Sequence, residues 1–297
     1  MVAEHLGRIV GHYAVIPLRM NVGSEVVMGG RAEGAVVHPN YRGNIAPGFF
    51  PQRKDVRVIR VLIRRIFEIA KHRGVEVIWG FPTDIALRAE VRAGFTHVPL
   101  KVAILMIALN ARHAPKALAL RHPLNMCIAS PLALGSRLYG LLKMASAAKT
   151  ISAEYGVEIR ALSCLTREDE KELRAFWNEV VSEGNFITIT RSPEFLRIRL
   201  LGDPVMPNWL LMCRVCGELI GYVVVSLGTV RGVKYGIVED MVALRGYKDA
   251  FLRLLIEAIR FLKEKGVTYV FTWLGVGKYA SWSVSYTHLT LPTTERV

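Results

Sequence analysis

The chain has few cysteines, few acidic residues and no long apolar run, and each scarcity closes off a class of protein. Four cysteines in 297 residues cannot form a disulfide scaffold at this size. The one suggestive spacing, Cys213-x-x-Cys216, lies on a strand that enters the turn Cys216-Gly217-Glu218. A redox pair would open a helix, and a zinc site would need a second ligand pair. These cysteines are therefore expected to be structural or incidental, and no metal site is expected. The longest apolar stretch, Val102 to Leu109, falls far short of the roughly 20 residues of a spanning helix. No transmembrane segment is expected, no leader is legible, and the expected location is cytoplasmic. Acidic residues number 25 against 39 lysines and arginines, a net charge of +14. That balance favours anionic partners: coenzyme phosphates, acidic glycans, nucleic acid or an anionic membrane face. Nucleic acid is not the expected one, because aromatics do not interleave with the basic residues and no helix-turn-helix or RNA-binding signature is present.

What the chain does have is a 52% hydrophobic composition, enough for sizeable cores, and an internal repeat. Gly7-Arg8-Ile9-Val10-Gly11-His12-Tyr13-Ala14-Val15 matches Gly217-Glu218-Leu219-Ile220-Gly221-Tyr222-Val223-Val224-Val225. The helix and strand meeting at Gly74-Val75 match those meeting at Gly266-Val267, where Phe251, Leu254, Leu255, Ala258 and Leu262 form the apolar face. One unit thus occurs twice, at a period far longer than that of solenoid repeats. Residues 1–110 are expected to form the first unit, with its N-terminus cropped, since almost nothing precedes Gly7. Within it, strands are expected near Arg8–Pro17, Val22–Met28, Ala35–His38, Val75–Phe81 and Val102–Leu109, and helices over Val56–His72 and Ile85–Ala93. Residues 111–156, broken by Pro115, Pro123 and Pro131, form a connector with a helical stretch near Ser136–Lys149. Residues 157–283 form the second unit, opened by a strand and then by the capping-box-like Thr166-Arg167-Glu168-Asp169 before Leu173, Phe176, Trp177 and Val180. This copy lacks the equivalent of roughly Val91–Leu109. Residues 284–297 are expected to be a non-native tail: Val284 to Thr293 read, residue for residue, as the translation of the sequencing adapter GTC TCT TAT ACA CAT CTG ACG CTG CCG ACG.

The chemistry-bearing stretch is Ala35-Val36-Val37-His38-Pro39-Asn40-Tyr41-Arg42-Gly43. An apolar strand runs into a basic turn, and a cationic amphipathic helix follows. That helix carries Ile59, Leu62, Ile63, Ile66 and Ala70 on one face and Arg57, Arg60, Arg64 and Arg65 on the other. A strand–turn–helix of this kind offers backbone N–H groups and a positive helix end to a pyrophosphate. The wording Val-His-Pro-x-Tyr-Arg-Gly resembles the acyl-coenzyme A loop of the GNAT acetyltransferases.

The resemblance implies an α+β fold of two GNAT-like units, each a mixed, mostly antiparallel sheet flanked by helices. It implies an acyl-coenzyme A-dependent N-acyltransferase, acetyl-coenzyme A as co-substrate, and a small-molecule or glycan amine acceptor, an acidic one suiting the charge. Carried over by position, the backbone at Val36, Val37 and His38 would polarise the thioester carbonyl. Arg42, Gly43 and Asn44 would open the phosphate loop. The family continues Gly-x-Gly/Ala into the helix, whereas this chain inserts Ile45 to Asp55, with Pro47 and Pro51 lacking N–H donors. Either Gly48 and Arg53 serve the phosphates in a rebuilt loop, or the loop is a surface insertion beside a dead site. Ala86, Gly94 and Phe95 fit the family's Ala-x-x-x-Tyr-x-x-x-Gly-Phe segment, with Glu90 in place of the tyrosine that protonates the leaving thiolate. Glu90 is either that acid, if burial raises its pKa, or a solvated helix residue. Glu33 is the nearest carboxylate for drawing a proton from the amine through water, or else an ordinary surface glutamate. The second copy, without a glycine loop after Leu244-Arg245-Gly246-Tyr247, is expected to shape the acceptor side instead of binding coenzyme. Two alternatives stand beside this reading: a non-catalytic binding module, and a Fem-type aminoacyl transferase that takes charged tRNA as donor.

Overall fold

The computed structural model describes residues 1–42, 57–98, 103–109, 156–161, 165–184, 187–201, 206–230 and 232–274. The expected helix near Ser136–Lys149 and the tail 284–297 lie outside the described residues, as do Gly43, Asn44, Gly48 and Arg53. The chain begins with strands β1 (Val2–His5), β2 (Arg8–Val22) and β3 (Glu25–Val37), then helix α1 (Val58–His72), β4 (Val77–Trp79) and α2 (Asp84–Ala93). After these come β5 (Ala103–Ala108), β6 (Gly156–Ala161), α3 (Arg167–Ser182) and β7 (Ile187–Ile189). The remainder is β8 (Asn208–Val215), β9 (Glu218–Val230), β10 (Val233–Ala243), α4 (Lys248–Glu264) and β11 (Tyr269–Leu274). Two compact units result: Met1–Pro99 with Gly184–Thr190, and Leu100–Glu183 with Arg191–Val297.

In the first unit the sheet runs β1-β2-β3-β4, with β7 also pairing on β2. Only the β3–β4 pair is parallel; β1, β3 and β7 all run antiparallel to β2. Leu6 (φ 50°) and Gly7 (φ 73°) join β1 to β2. Two positive φ values in a two-residue loop make the hairpin turn whose twist matches its strands. α1 lies on one face of this sheet through Val58, Leu62, Ile63, Ile66 and Ala70, all buried. It can sit close because Gly11 of β2 faces it: a Cβ there would lie 2.9 Å from Val58 Cγ1 and 3.0 Å from Leu62 Cδ1.

The second sheet runs β5-β11-β10-β9-β8-β6, with only β10 and β11 parallel. The repeat seen in sequence reappears as geometry. Cys216 (φ 50°) and Gly217 (φ 88°) form the same hairpin turn. Gly221 faces α4 as Gly11 faces α1, with a Cβ 3.1 Å from Leu254 Cδ1. His38 N–H bonds Val10 O at 2.9 Å, and Leu244 N–H bonds Ile220 O at 3.0 Å. Each strand end then closes a turn, Tyr41 N–H to His38 O at 2.8 Å and Tyr247 N–H to Leu244 O at 3.3 Å. After that turn the copies differ: α4 follows Tyr247 directly, whereas residues 42–57 separate Tyr41 from α1. α3 opens with the expected capping box between Thr166 and Asp169 and buries Leu173, Phe176, Trp177 and Val180.

Three sequence expectations change. The strands expected near Val22–Met28 and Ala35–His38 are one strand, β3, interrupted by a bulge. His12 pairs Val36 but Ala14 pairs Glu33, so β3 holds one extra residue there, and Gly34 takes a left-handed φ of 66°. The strand Ala103–Ala108, expected to close the first unit, instead pairs along its whole length with β11. A short apolar run fits any buried sheet edge and carries no record of its partner. Conversely, β7, from the second copy's stretch of sequence, extends the first sheet.

Cys213 is buried in β8 and Cys216 exposed in the turn, both as free thiols. Burial pushes the Cys213 thiol up to about 11, which makes it inert. Among the described residues no three His, Cys, Asp or Glu side chains gather to hold a metal, and no helix is long and apolar enough to cross a membrane.

Candidate active site in the first unit

The site begins where two parallel strands part. β4 pairs with β3 only at Gly29, Gly30 and Arg31, opposite Val77, Ile78 and Trp79. Gly80 still lies against Ala32, its absent Cβ only 3.2 Å from the Ala32 Cβ. Beyond this point the chain turns away through Phe81 into α2, while β3 continues to Val37. Ala32 to Val37 therefore present a strand edge that no described strand covers. Val36 and Phe81 stand exposed beside it.

Which backbone groups that edge offers follows from the hydrogen bonds. His38 N–H is spent on Val10 O and His38 O on Tyr41 N–H. Successive residues of a strand point their N–H groups to opposite edges. Val36, paired with His12, therefore points to β2, and Val37 points to the open edge. Of the three sequence candidates, only Val37 can offer its N–H to a ligand. Its carbonyl is already held by Arg42, whose Nε donates to Val37 O at 2.8 Å. Arg42 is thereby folded back across the mouth of the opening. Tyr41 fixes this turn: its hydroxyl lies 2.8 Å from His5 Nδ1, and the His38 ring meets it edge-on at 5.8 Å. His38 Nδ1 also accepts Asn40 N–H at 3.3 Å. The His38 ring is thus occupied in holding the turn.

α1 begins at the other side of this turn with no side-chain cap on Arg57 and no acidic residue in its first turn. Its leading N–H groups and the positive end of its dipole are left to an anion. Arg60 adds a guanidinium whose Nε is buried without a partner among the described residues. A buried N–H left unmade costs about 1–3 kcal/mol, which an incoming phosphate oxygen would recover. The sequence placed Arg60 only on a basic face.

The two candidate carboxylates lie on opposite faces of the sheet. Glu33 follows Ala32, which packs into the α1 core, so Glu33 projects from the other face. It is half-exposed and ion-paired with Arg31 at 2.7 Å, and Arg31 in turn lies over the Trp79 ring at 5.9 Å. Glu90 is no solvated helix residue: it is only 6% exposed. It accepts a hydrogen bond from the Tyr13 hydroxyl at 3.1 Å. Burial raises the Glu90 pKa, and the Tyr13 hydrogen bond offsets part of that rise. Tyr13, fully buried among Val58, Leu62, Ile63 and Ile66, has its own pKa driven upward by burial, then by the charge of Glu90. Tyr13 was read in the sequence only as part of the repeat. A tyrosine facing inward on β2, beside a helix with a carboxylate in place of the family's tyrosine, was the available signal.

The corresponding place in the second unit is built against anions. The Arg245 N–H is taken by the Glu183 carboxylate, and Asp249 stands in the first turn of α4. On β10, Asp240 is held by Arg191 at 2.8 Å and by the Tyr222 hydroxyl at 2.7 Å, and Glu239 by Ser226 at 2.5 Å.

A pair of mixed sheets, each with a hairpin, a covering helix and a parallel strand, is the fold on which acyl-coenzyme A-dependent N-acyltransferases are built. Residues 1–91 match the family model of the acetyltransferase (GNAT) domain, and the chain shares the GNAT fold with the solved structures it resembles. A GCN5-related N-acetyltransferase from Anabaena variabilis superposes over 99% of this chain and 58% of its own, at TM-score 0.54 and 13% identity. A tandem GNAT protein from the clavulanic acid biosynthesis pathway covers 96% of this chain and 76% of its own, at 0.52 and 15%. Saccharomyces cerevisiae N-myristoyltransferase with bound myristoyl-coenzyme A covers 96% and 64%, at 0.56 and 11%. The chain thus spans under two thirds of the length of the first and third of these proteins. No curated protein matches the sequence.

Proposed function

We propose that the chain transfers an acyl group, acetyl in the first instance, from acyl-coenzyme A to an amine, and that the first unit binds the donor. The observation that carries this is the parting of β3 from β4 beyond Arg31 and Trp79, which leaves the Val37 N–H facing an open edge beside an uncapped, acid-free helix start. A pantetheine arm is an extended amide chain that can lie along such an edge as a strand would. Val37 N–H then polarises the thioester carbonyl. Arg42, Arg60 and the first turn of α1 meet the phosphates, together with Gly43, Asn44, Gly48 and Arg53 of the connecting segment.

The amine attacks the carbonyl carbon, so that a C–N bond forms and the C–S bond breaks. Its proton leaves through water to Glu33 on one face of the sheet. The departing thiolate takes a proton from Glu90 on the other, which burial keeps protonated to higher pH. Val36 and His38 contribute by anchoring the strand end. The acceptor class we favour is a small molecule or amino sugar bearing negative charge, consistent with the +14 balance, and the setting the cytoplasm. The fold of a relative that holds myristoyl-coenzyme A supports an acyl-coenzyme A donor, and acetyl follows from the resemblance of the loop.

Calorimetric titration of acetyl-coenzyme A into the full chain tests this reading. Saturable binding that is lost in Arg42→Glu is expected. A folded protein that ignores the coenzyme would refute it, and would favour the tRNA-donor reading if charged tRNA bound instead.

A further inference from the structure

We infer that the outer face of α1 docks an acidic acyl carrier protein, which presents its acyl group to the first unit on a phosphopantetheine arm. This rests on the acyl-transfer reading and adds a second kind of donor to the same opening. Arg57, Arg60, Arg64 and Lys71 recur along α1 at spacings of three, four and seven residues, which places them on one stripe. The stripe lies opposite Leu62, Ile66 and Ala70, and Arg57, Arg64 and Lys71 are exposed. Among the described residues none of the four has an ion pair. The acid on the stripe, Glu68, is engaged by Arg65 at 2.7 Å. α2, packed against α1, adds Arg88 and Arg92, both exposed and one turn apart. A row of like charges at helical spacing is destabilising by itself and marks an anionic partner.

The length of the row sets the size of that partner. α1 has 15 residues, and at a rise of about 1.5 Å each it extends roughly 22 Å. The phosphates of a nucleotide coenzyme gather at the first turn, far from Lys71 at the other end. The stripe has no exposed large apolar side chain to enter a bilayer, and it has no aromatic platform for bases. An acidic protein surface fits what remains. The row starts at the same helix end that meets the donor's phosphate, which is where the root of a carrier arm would stand. In the sequence, Pro47 and Pro51 also remove two backbone donors from the segment a pyrophosphate would need, and a carrier arm brings a single phosphate.

The test uses the full chain and four probes: an acetylated bacterial acyl carrier protein, its apo form, acetyl-coenzyme A, and phosphatidylcholine–phosphatidylglycerol vesicles. Each is measured with the parent and with Arg64→Glu/Lys71→Glu/Arg92→Glu. The expected result is saturable binding of the acetylated carrier that weakens with salt and falls at least about tenfold in the variant, with acetyl-coenzyme A binding unchanged. Binding of acetyl-coenzyme A without the carrier overturns the inference and leaves the acyl-transfer reading standing. So does a variant that binds carrier as well as the parent, or vesicles binding in place of the carrier. If circular dichroism shows a folded chain and neither donor binds, both fall.

Discussion

Replacing Tyr13 by phenylalanine removes one hydroxyl from the first unit and keeps the ring that packs against α1. The hydroxyl donates to Glu90 Oε1 at 3.1 Å, and Tyr13 is 0% exposed and Glu90 6%, so water cannot take its place. The cost depends on the charge of Glu90. Burial raises its folded pKa above an unfolded value near 4.3. Below the unfolded value both states are protonated and the stability is fully present; it is lost as pH rises through the folded pKa and a buried carboxylate forms. Tyr13 offsets part of that loss by donating to the carboxylate, so Tyr13→Phe raises the Glu90 pKa further. Tyr13 itself stays protonated throughout, since its own pKa is driven upward. A hydrogen bond between neutral groups contributes about 0.5–1.5 kcal/mol and one to a charged group about 1.5–3 kcal/mol. Urea unfolding followed by circular dichroism should therefore show a smaller cost at the low end of a pH series, with Glu90 protonated, than at its high end, with Glu90 ionised. In a Glu90→Gln background, where the amide oxygen still accepts the hydroxyl, the pH dependence should vanish. An equal cost at both ends of the series, or a pH dependence that survives Glu90→Gln, would refute the reasoning.

Three further outcomes follow from the backbone. Gly34→Ala forces a Cβ onto a φ of 66°, 3.1 Å from the His12 ring; it should cost about 1–2 kcal/mol in urea unfolding and weaken acetyl-coenzyme A binding by shifting the bulge. Gly221→Ala should lower the unfolding midpoint more than Gly11→Ala. The first meets the Val242 backbone oxygen at 3.0 Å and the second meets only side-chain methyls, within a range of about 1–3 kcal/mol for overpacking. Leu6→Asn should raise stability by up to about 1 kcal/mol, because Leu6 is 87% exposed at a φ of 50° that asparagine tolerates better; a drop in melting temperature would count against the turn assignment.

Local order was readable from the residues and long-range pairing was not. The apolar faces of α1 and α4, the capping box at Thr166 and the turn at Gly217 each depend on side chains within a few positions of one another, and the sequence displays them directly. β1, only four residues long, and its turn at Leu6-Gly7 were missed. The partner of β5 does not: Ala103 to Ala108 would suit either sheet, and what decides is which edge is free. β7 escaped notice because three residues carry no periodicity. Gly34 lies in the gap left between the strands expected near Val22–Met28 and Ala35–His38, and a glycine in a strand weakens it on average; only the register shift reveals a bulge. In the site, the order strand–turn–basic helix was legible through Val36 to Arg42, but which of three backbone groups faces outward depends on which strand lies on each side. Glu90 looked like a surface glutamate because nothing within one turn of it on α2 shows that Tyr13, 77 positions away, closes over it.

The central claim is that the donor lies on the open edge of β3 in the first unit and not on its counterpart in the second. Nitrogen-15 labelling of valine and alanine, with Val37→Ile to assign one resonance and Ala243→Ser the other, puts a probe at each strand end. On titration with acetyl-coenzyme A, the Val37 amide should shift in a saturable manner while the Ala243 amide stays in place. Saturable binding that moves Ala243, or that leaves Val37 where it was, would contradict the account.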